Sequence, residues 1–240
     1  MIALHSVSKE LGRGKLRKLV LKSISWEIPA RSRVVILGQR GAGKSTLLQV
    51  ISGARFPTSG WVERKGSICA ISGLMRARGA ALTPRQLALR LARLYHVNAD
   101  EIIRFVGQFA EMEELVDMPV NMLPKSIRQR LNYALAYAIP FDFYLFDGAI
   151  GGRKGEFGER CQTAFEMRSR EAGVILTTSS PKLAERFDGL AGILHQGRVH
   201  FFPTVEQALS VFKSLPPPEA DIKQYSADAA ADDEQEEEWM

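Results

Sequence analysis

The sequence has 240 residues, of which 45% are hydrophobic, and a formal net charge of +5, a composition typical of globular proteins. Its longest apolar runs, such as residues 34–37, are far shorter than the roughly 20 residues of a membrane-spanning helix. Cys69 and Cys161 form no C-x-x-C pair and the N-terminus lacks the regions of a secretory signal, so we expect a soluble protein in a reducing, cytoplasmic compartment.

The first part of the chain predicts strands followed by a helix. Residues 2–7 and 19–28 alternate apolar and polar side chains, which predicts an N-terminal β portion. Residues 34–37 are wholly apolar and predict a buried strand that ends at Gly38. From Ser45 the apolar residues have helical spacing and stop at Gly53, which suits the C-terminus of a helix. The predicted order is strand, glycine-rich loop, helix.

The loop between this strand and this helix fits the phosphate-binding pattern G-x-x-x-x-G-K-[ST] completely. Glycines let backbone N–H groups turn towards a phosphate, and the helix N-terminus adds partial positive charge. We therefore predict a P-loop that binds a nucleoside triphosphate, with Lys44 on the β- and γ-phosphates and the Ser45 hydroxyl on Mg²⁺. The predicted nucleotide-binding residues are Gly38, Gln39, Arg40, Gly41, Ala42, Gly43, Lys44, Ser45 and Thr46.

The remainder predicts an α/β domain with a helical insertion and a charged tail. Residues 83–138 have mostly helical spacing, and residues 143–146 and 174–177 read as buried parallel strands. Residues 191–199 resemble a terminal hairpin. We predict one domain over residues 1–215, with a helical subdomain at about 83–138, and a disordered acidic tail over 216–240. Residues 219–240 carry a net charge of −8, which leaves +13 on residues 1–218.

Asp147 is the predicted second magnesium ligand beside Ser45. It follows the apolar run 143–146 directly, and its order and distance after the P-loop suit a metal-binding acid at a strand end. The basic body could face phosphates or an anionic membrane surface, and charge alone does not choose between them.

Three segments carry a family resemblance: Ile28-Pro29 ahead of the P-loop, residues 83–95, and residues 128–147 with Arg-Gln-Arg-Leu-Asn-Tyr-Ala-Leu-Ala and Phe-Tyr-Leu-Phe-Asp. Over residues 1 to about 203 the chain resembles the nucleotide-binding subunits of ATP-binding cassette (ABC) transporters, most of all those of capsular polysaccharide exporters. The resemblance implies an ABC-type P-loop NTPase fold that binds ATP and Mg²⁺. It also implies a homodimer or heterodimer docked on an integral membrane exporter subunit at the inner face of the cytoplasmic membrane.

The chain departs from this family at the residues that drive hydrolysis. Gly148 stands where the family has a glutamate that polarises the attacking water. The signature loop, usually Leu-Ser-Gly-Gly-Gln, reads Leu-Pro-Lys-Ser-Ile over residues 123–127, and Pro124 supplies neither a hydroxyl nor an N–H. Ser179 falls at the switch histidine. We therefore expect very slow hydrolysis and assign no catalytic residue, with Glu156 or Glu159 as an alternative base.

Further family positions are also altered. No glutamine stands at the expected Q-loop in residues 71–74, Leu11 replaces the aromatic residue that stacks on adenine, and Arg153-Lys154 replace the acid of the D-loop. Because such subunits pair head to tail, the resemblance implies that both composite sites are damaged: one lacks its glutamate and the other faces Pro124 and Lys125.

Other charged and histidine residues give weaker signals. His5, His96, His195 and His200 lack metal-ligand spacing, so we expect ordinary surface or core residues. Five arginines form a basic stretch: Arg76, Arg78, Arg85, Arg90 and Arg93. Because no aromatic residues are interleaved with them, we expect a solvated helix face and no nucleic-acid partner. Besides a transporter subunit, the sequence leaves open a non-hydrolysing nucleotide-dependent regulator or adaptor and, less well supported, a small-molecule P-loop kinase.

Overall fold

The computed structural model describes residues 1–12, 14–71, 82–148 and 155–216, which divide into two compact units. The first unit comprises residues 1–66, 147–148 and 173–216. The second comprises residues 67–71, 82–146 and 155–172. The predicted acidic tail, apart from Pro216, lies outside the described residues.

In chain order the strands are β1 (Ile2–Leu11), β2 (Lys18–Ile28), β3 (Arg33–Leu37), β4 (Ser59–Arg64), β5 (Ile68–Ala70), β6 (Phe143–Asp147), β7 (Gly173–Thr178), β8 (Leu190–His195) and β9 (Arg198–Phe202). The α-helices are α1 (Lys44–Ser52), α2 (Pro84–Tyr95), α3 (Ala99–Ala110), α4 (Lys125–Ala138), α5 (Glu156–Ser169), α6 (Pro181–Ala184) and α7 (Val205–Ser214). Short 3-10 helices occupy Gly14–Leu16, Glu113–Leu115 and Val120–Met122.

The first unit contains an antiparallel sheet in the order β2-β1-β4, as the alternation of residues 2–7 and 19–28 predicted. Ile2 pairs with Ile28 and Leu11 with Lys18 across β1 and β2. Register shifts interrupt this pairing, and Ser6 and Ser23 beside them have φ of 50° and 46°. Bulges of this kind increase the local twist of the strands that carry them.

The first unit also contains the parallel strands that position the P-loop. β3 lies between β7 and β8 and is parallel to both, and β9 adds an antiparallel edge through the predicted hairpin. Residues 34–37 are buried because β3 is central, which explains their uninterrupted apolar sequence. The helix that follows the P-loop, α1, buries Leu47, Leu48, Val50 and Ile51 and ends at Gly53 with φ of 85°, as the sequence predicted.

The second unit is a helical block with the parallel strands β5 and β6. Thr83 begins α2 with a capping box closed by Gln86, and Asn98 caps α3 through two backbone N–H groups. Its core is aromatic: the rings of Phe109 and Tyr137 lie 5.9 Å apart, and those of Phe146 and Phe165 lie 5.3 Å apart. The helices predicted for residues 83–138 are therefore present, as α2, α3 and α4.

The α/β P-loop fold predicted from the sequence is confirmed in its elements, although some were missed. The sequence analysis did not assign β4, β5, α5, α6 or α7. Cys69 and Cys161 are buried free thiols. Among the described residues, no helix combines the length and the apolar character needed to cross a membrane.

Candidate nucleotide-binding site

The P-loop connects β3 to α1, and two of its three glycines have conformations that only glycine adopts readily. Gly41 and Gly43 have φ of 79° and 96°. A Cβ atom at Gly43 would lie 2.6 Å from Val20 Cγ1, so strand β2 leaves no room for a side chain there. The N–H of Gly38 donates to the carbonyl of Thr178 at 3.1 Å, which fixes the start of the loop to the end of β7. The loop is therefore held in one shape by both of its neighbours.

The N-terminus of α1 faces out of this loop without a side-chain cap. Gly43 is the N-cap residue, it makes no side-chain cap hydrogen bond, and the first turn holds no acidic side chain. The first N–H groups of a helix have no partner within the helix, and its dipole favours an anion there. The arrangement of glycine loop and helix end therefore suits a phosphate group.

Lys44 provides the cation of the loop and is half-buried. Its Nζ atom donates to the carbonyls of Gly38 at 2.8 Å and Gln39 at 2.9 Å. Burial lowers the pKa of Lys44 from its ordinary value, and the negative charge of Asp147 acts in the opposite direction. Burial removes part of the water that solvates the ammonium group. An anion bound beside Lys44 would replace that lost solvation, so the site favours an anion.

Ser45 and Asp147, the two predicted magnesium ligands, are in direct contact. The Ser45 hydroxyl donates to Asp147 Oδ2 at 2.6 Å, although the two residues are far apart in sequence. The other carboxylate oxygen, Oδ1, accepts a hydrogen bond from the Thr177 hydroxyl at 2.8 Å. Hydroxyl and carboxylate oxygens are the ligands that Mg²⁺ prefers, so the donor set fits this ion. The structure thus brings together the pair that the sequence proposed.

The other predicted nucleotide-binding residues lie on the same segment. Arg40 and Gly41 are exposed at the tip of the loop, and Ala42 donates through its N–H to the Gln39 carbonyl at 3.2 Å. The side chain of Gln39 points to the C-terminal part of the unit, where Nε2 donates to the Pro216 carbonyl at 2.5 Å. Thr46 lies half-buried in the first turn of α1.

Gly148, at the position of the expected glutamate, follows Asp147 in a left-handed conformation with φ of 86°. Its N–H donates to the Thr177 carbonyl at 2.8 Å, and a Cβ atom built on it would meet no heavy atom within 4 Å. The described surroundings therefore leave space for a side chain at Gly148, while its backbone conformation disfavours one.

The altered signature loop lies at the start of α4 in the second unit. Pro124 is the N-cap residue of α4 and makes no side-chain cap hydrogen bond, and Lys125 and Ser126 are exposed in the first turn. The helix has no acidic residue there to complement its dipole. The N-terminus of α4 thus lacks the hydroxyl donor that a serine at position 124 would supply.

The turn after β7 holds the predicted switch position. Ser179 is exposed, and the N–H of Ser180 donates to the Thr178 hydroxyl at 3.0 Å. Ser180 also caps α6 by accepting from the Leu183 N–H. Leu11, at the predicted adenine-stacking position, ends β1 and pairs with Lys18.

Several predicted positions are elsewhere or undescribed. Glu156 and Glu159 both lie in the first turn of α5. Glu156 is highly exposed, and its Oε1 atom lies 3.5 Å from Arg160 Nη2. Arg85 forms a bidentate pair with Asp117. Residues 72–74, Arg76, Arg78, Arg153 and Lys154 lie outside the described residues.

The four histidines take ordinary positions. His5 stacks on Trp61 with the ring centroids 4.7 Å apart and lies 3.9 Å from Glu63, whereas His96 ends α2 and His195 and His200 lie on the terminal hairpin. Within the described ranges, no group of three or more histidine, cysteine or acidic side chains could hold a metal ion.

Sequence reasoning missed Thr177 and Thr178, the two buried polar side chains among the described residues. Both end the apolar strand β7, and each contacts a predicted site residue or its loop. A polar pair at the carboxyl end of a buried parallel strand was the available signal, since ligand sites of open α/β sheets gather at these ends.

Comparison with known proteins agrees with this geometry. The sequence model of the ABC transporter family matches residues 21–151. The chain is 32% identical over 88% of its length to the ATP-binding protein BexA of Haemophilus influenzae, covering 98% of that protein. It is 30% identical over 90% of its length to the capsule polysaccharide export ATP-binding protein CtrD of Neisseria meningitidis, covering 100%. It is also 30% identical over 89% of its length to the polysialic acid transport ATP-binding protein KpsT of Escherichia coli, covering 96%.

Solved structures show the same fold. A dimeric ATP-binding cassette in a post-hydrolysis state with ADP and Pi superposes with a TM-score of 0.70 at 21% identity, over 85% of this chain and 98% of that one. The structure of an ATP-binding subunit of an ABC transporter superposes with a TM-score of 0.70 at 18% identity, over 89% of this chain and 100% of that one. The resemblance inferred from the sequence motifs is therefore confirmed, because the family match spans more than half of the chain and the relatives are covered almost completely: the chain belongs to the ABC transporter family.

Proposed function

We propose that this chain is the ATP-binding subunit of an ABC-type polysaccharide export system, and that it binds ATP with Mg²⁺ but hydrolyses it slowly, if at all. The hydrogen bond from Ser45 to Asp147 at 2.6 Å is the observation that supports binding most directly. The bond brings two hard oxygen atoms together beside the glycine loop, which supports the proposal that they bind Mg²⁺.

Each part of the loop has a role in holding the nucleotide. The N-terminal N–H groups of α1 and the loop amides suit the phosphate oxygens, and Lys44 Nζ suits the β- and γ-phosphates. Ser45 and Asp147 would hold Mg²⁺, which supplies neutralisation of phosphate charge when bound. The left-handed glycines keep side chains out of the path of the phosphates.

Slow hydrolysis follows from what stands beside Asp147. Gly148 has no carboxylate to accept a proton from water, and a general base contributes about 10²- to 10⁴-fold to a rate. Loss of a preorganised donor to developing charge costs about 10²- to 10³-fold more. At the start of α4, Pro124 offers no such donor to a nucleotide on a partner subunit.

The cargo and the partners are proposed from the relatives. CtrD and KpsT are named for the export of capsule polysaccharide and the transport of polysialic acid, and the chain covers nearly all of both. We therefore assign this chain an integral membrane exporter subunit as partner and a dimeric state, with itself or with another ATP-binding subunit. The net charge of +13 on residues 1–218 supports a peripheral position at the anionic inner face of the cytoplasmic membrane.

A second candidate is a nucleotide-dependent regulator or assembly adaptor that does not hydrolyse ATP. It is favoured by the coincidence of Gly148 and Pro124, because together they affect both the P-loop site and the site facing the signature loop. An exporter subunit needs turnover from some composite site, whereas an adaptor needs only binding.

Nucleotide binding and hydrolysis measured on one purified sample test the proposal. Calorimetry with ATP and Mg²⁺ should show binding, and steady-state phosphate release should stay far below about one per second, the low end of ordinary enzyme turnover. Lys44→Ala is the matched control for binding. Turnover at an ordinary rate would refute the slow-hydrolysis proposal, and transfer of phosphate to an added acceptor would indicate a kinase.

A further inference from the structure

Thr177 is placed to orient the magnesium-binding carboxylate, a role that rests on the proposed function and goes beyond it. Its hydroxyl donates to Asp147 Oδ1 at 2.8 Å, and its side chain is 0% exposed. Ile36 pairs with Thr177 in the parallel register between β3 and β7, so the backbone of Thr177 is held by the central strand β3. A hydroxyl with so little freedom holds its acceptor in one orientation.

The two oxygens of Asp147 are held separately. Oδ2 accepts from Ser45, the predicted partner ligand of Mg²⁺, whereas Oδ1 accepts from Thr177. The backbone adds a second link, because the N–H of Gly148 donates to the Thr177 carbonyl at 2.8 Å. Asp147 is itself exposed, so without these contacts its carboxylate could rotate freely in solvent.

We propose that Thr177 is a positioning residue: it fixes the Asp147 carboxylate so that Oδ2 stays directed at the Ser45 hydroxyl and is available to Mg²⁺. Outer partners of this kind orient metal ligands, and their loss typically reduces metal affinity by about 10- to 100-fold.

The test compares ATP affinity with Mg²⁺ and with a chelator in the unsubstituted chain, Thr177→Val and Thr177→Ser. Thr177→Val keeps the shape of the side chain and removes the hydroxyl, so it should lower the Mg²⁺-dependent gain in affinity by about 10-fold while leaving binding in chelator unchanged. Thr177→Ser keeps the hydroxyl and should retain the gain. Thr58→Val is the matched control, since the Thr58 hydroxyl accepts from the Glu10 N–H away from Asp147.

Melting temperatures check that each variant folds, and Thr177→Ala serves as a second hydroxyl deletion if the valine is not tolerated. Equal Mg²⁺ dependence in the hydroxyl deletions and the unsubstituted chain would refute the positioning role and leave the proposed function intact. Absence of ATP binding by the unsubstituted chain would refute the proposed function and this role with it.

Discussion

Placing the missing carboxylate at Gly148 tests what limits hydrolysis. Gly148→Glu has room at its Cβ atom, because no heavy atom of the described residues lies within 4 Å of that position, but the residue has φ of 86°. A side chain in the left-handed region costs about 1–2 kcal/mol. For a protein of this size that corresponds to a melting temperature lower by roughly 2–8 °C. Gly148→Ala should show the same loss, since the strain belongs to the backbone and not to the carboxylate.

Turnover should remain low in Gly148→Glu even though the base is worth about 10²- to 10⁴-fold. In a homodimer the opposing signature loop still contains Pro124 and Lys125, so the developing charge lacks its donors. Steady-state phosphate release is measured for the unsubstituted chain, Gly148→Ala, Gly148→Glu, Pro124→Ser and the double variant Gly148→Glu/Pro124→Ser. The gain of the double variant should be larger than the product of the gains of Gly148→Glu and Pro124→Ser alone. Full rescue by Gly148→Glu alone would show that the altered loop is harmless.

Other predictions follow from single contacts. Lys44→Ala should weaken ATP binding by about 10-fold or more, because it removes the charged donor to the β- and γ-phosphates. Unchanged binding by calorimetry would show that the P-loop does not bind the nucleotide. Truncation after Pro218 should leave the melting temperature nearly unchanged, because the removed sequence has little apolar surface, and a fall of many degrees would contradict this. Asp142 accepts from the Ser67 N–H and hydroxyl at 2.7 and 2.8 Å, and these bonds lower its pKa below the ordinary 3.8. The stability that Asp142 contributes is therefore present above pH 3.8 and is lost as pH falls through its lower folded pKa. Asp142→Ala should therefore have a lower melting temperature than the unsubstituted chain at pH 7, and the two melting temperatures should converge in acid.

The sequence predicted those parts of the fold whose determinants are local. The apolar run 34–37, the glycine loop and the helix that ends at Gly53 each carry their signal within a few residues, and all are present. α5 escaped prediction because it buries only Cys161 and Phe165, so its periodicity is weak. α7 was missed although Thr204 caps it through the Gln207 N–H, a start signal visible in the sequence.

Within the site, the pairing of Ser45 with Asp147 was predictable and the role of Thr177 was not. Ser45 and Asp147 belong to recognisable motifs, and the carboxyl ends of neighbouring strands meet in such folds. A threonine after an apolar run usually indicates only that the buried strand ends there. Only the three-dimensional distance of 2.8 Å between its hydroxyl and Asp147 distinguishes a contact from a boundary.

The residues of the P-loop do not carry equal weight as signs of nucleotide binding. Gly43 is required by packing, because any side chain would strike Val20, so its presence follows from the fold whether or not a nucleotide binds. Lys44 has no such packing reason: its ammonium loses solvation, burial lowers its pKa, and Nζ donates to two carbonyls of its own loop. A partly buried cation facing a helix N-terminus is unfavourable for the fold by itself and favourable once a polyanion is present. Lys44 beside Ser45 and Asp147, with Gly148 directly after Asp147, is the arrangement that the proposed function of binding without rapid turnover requires.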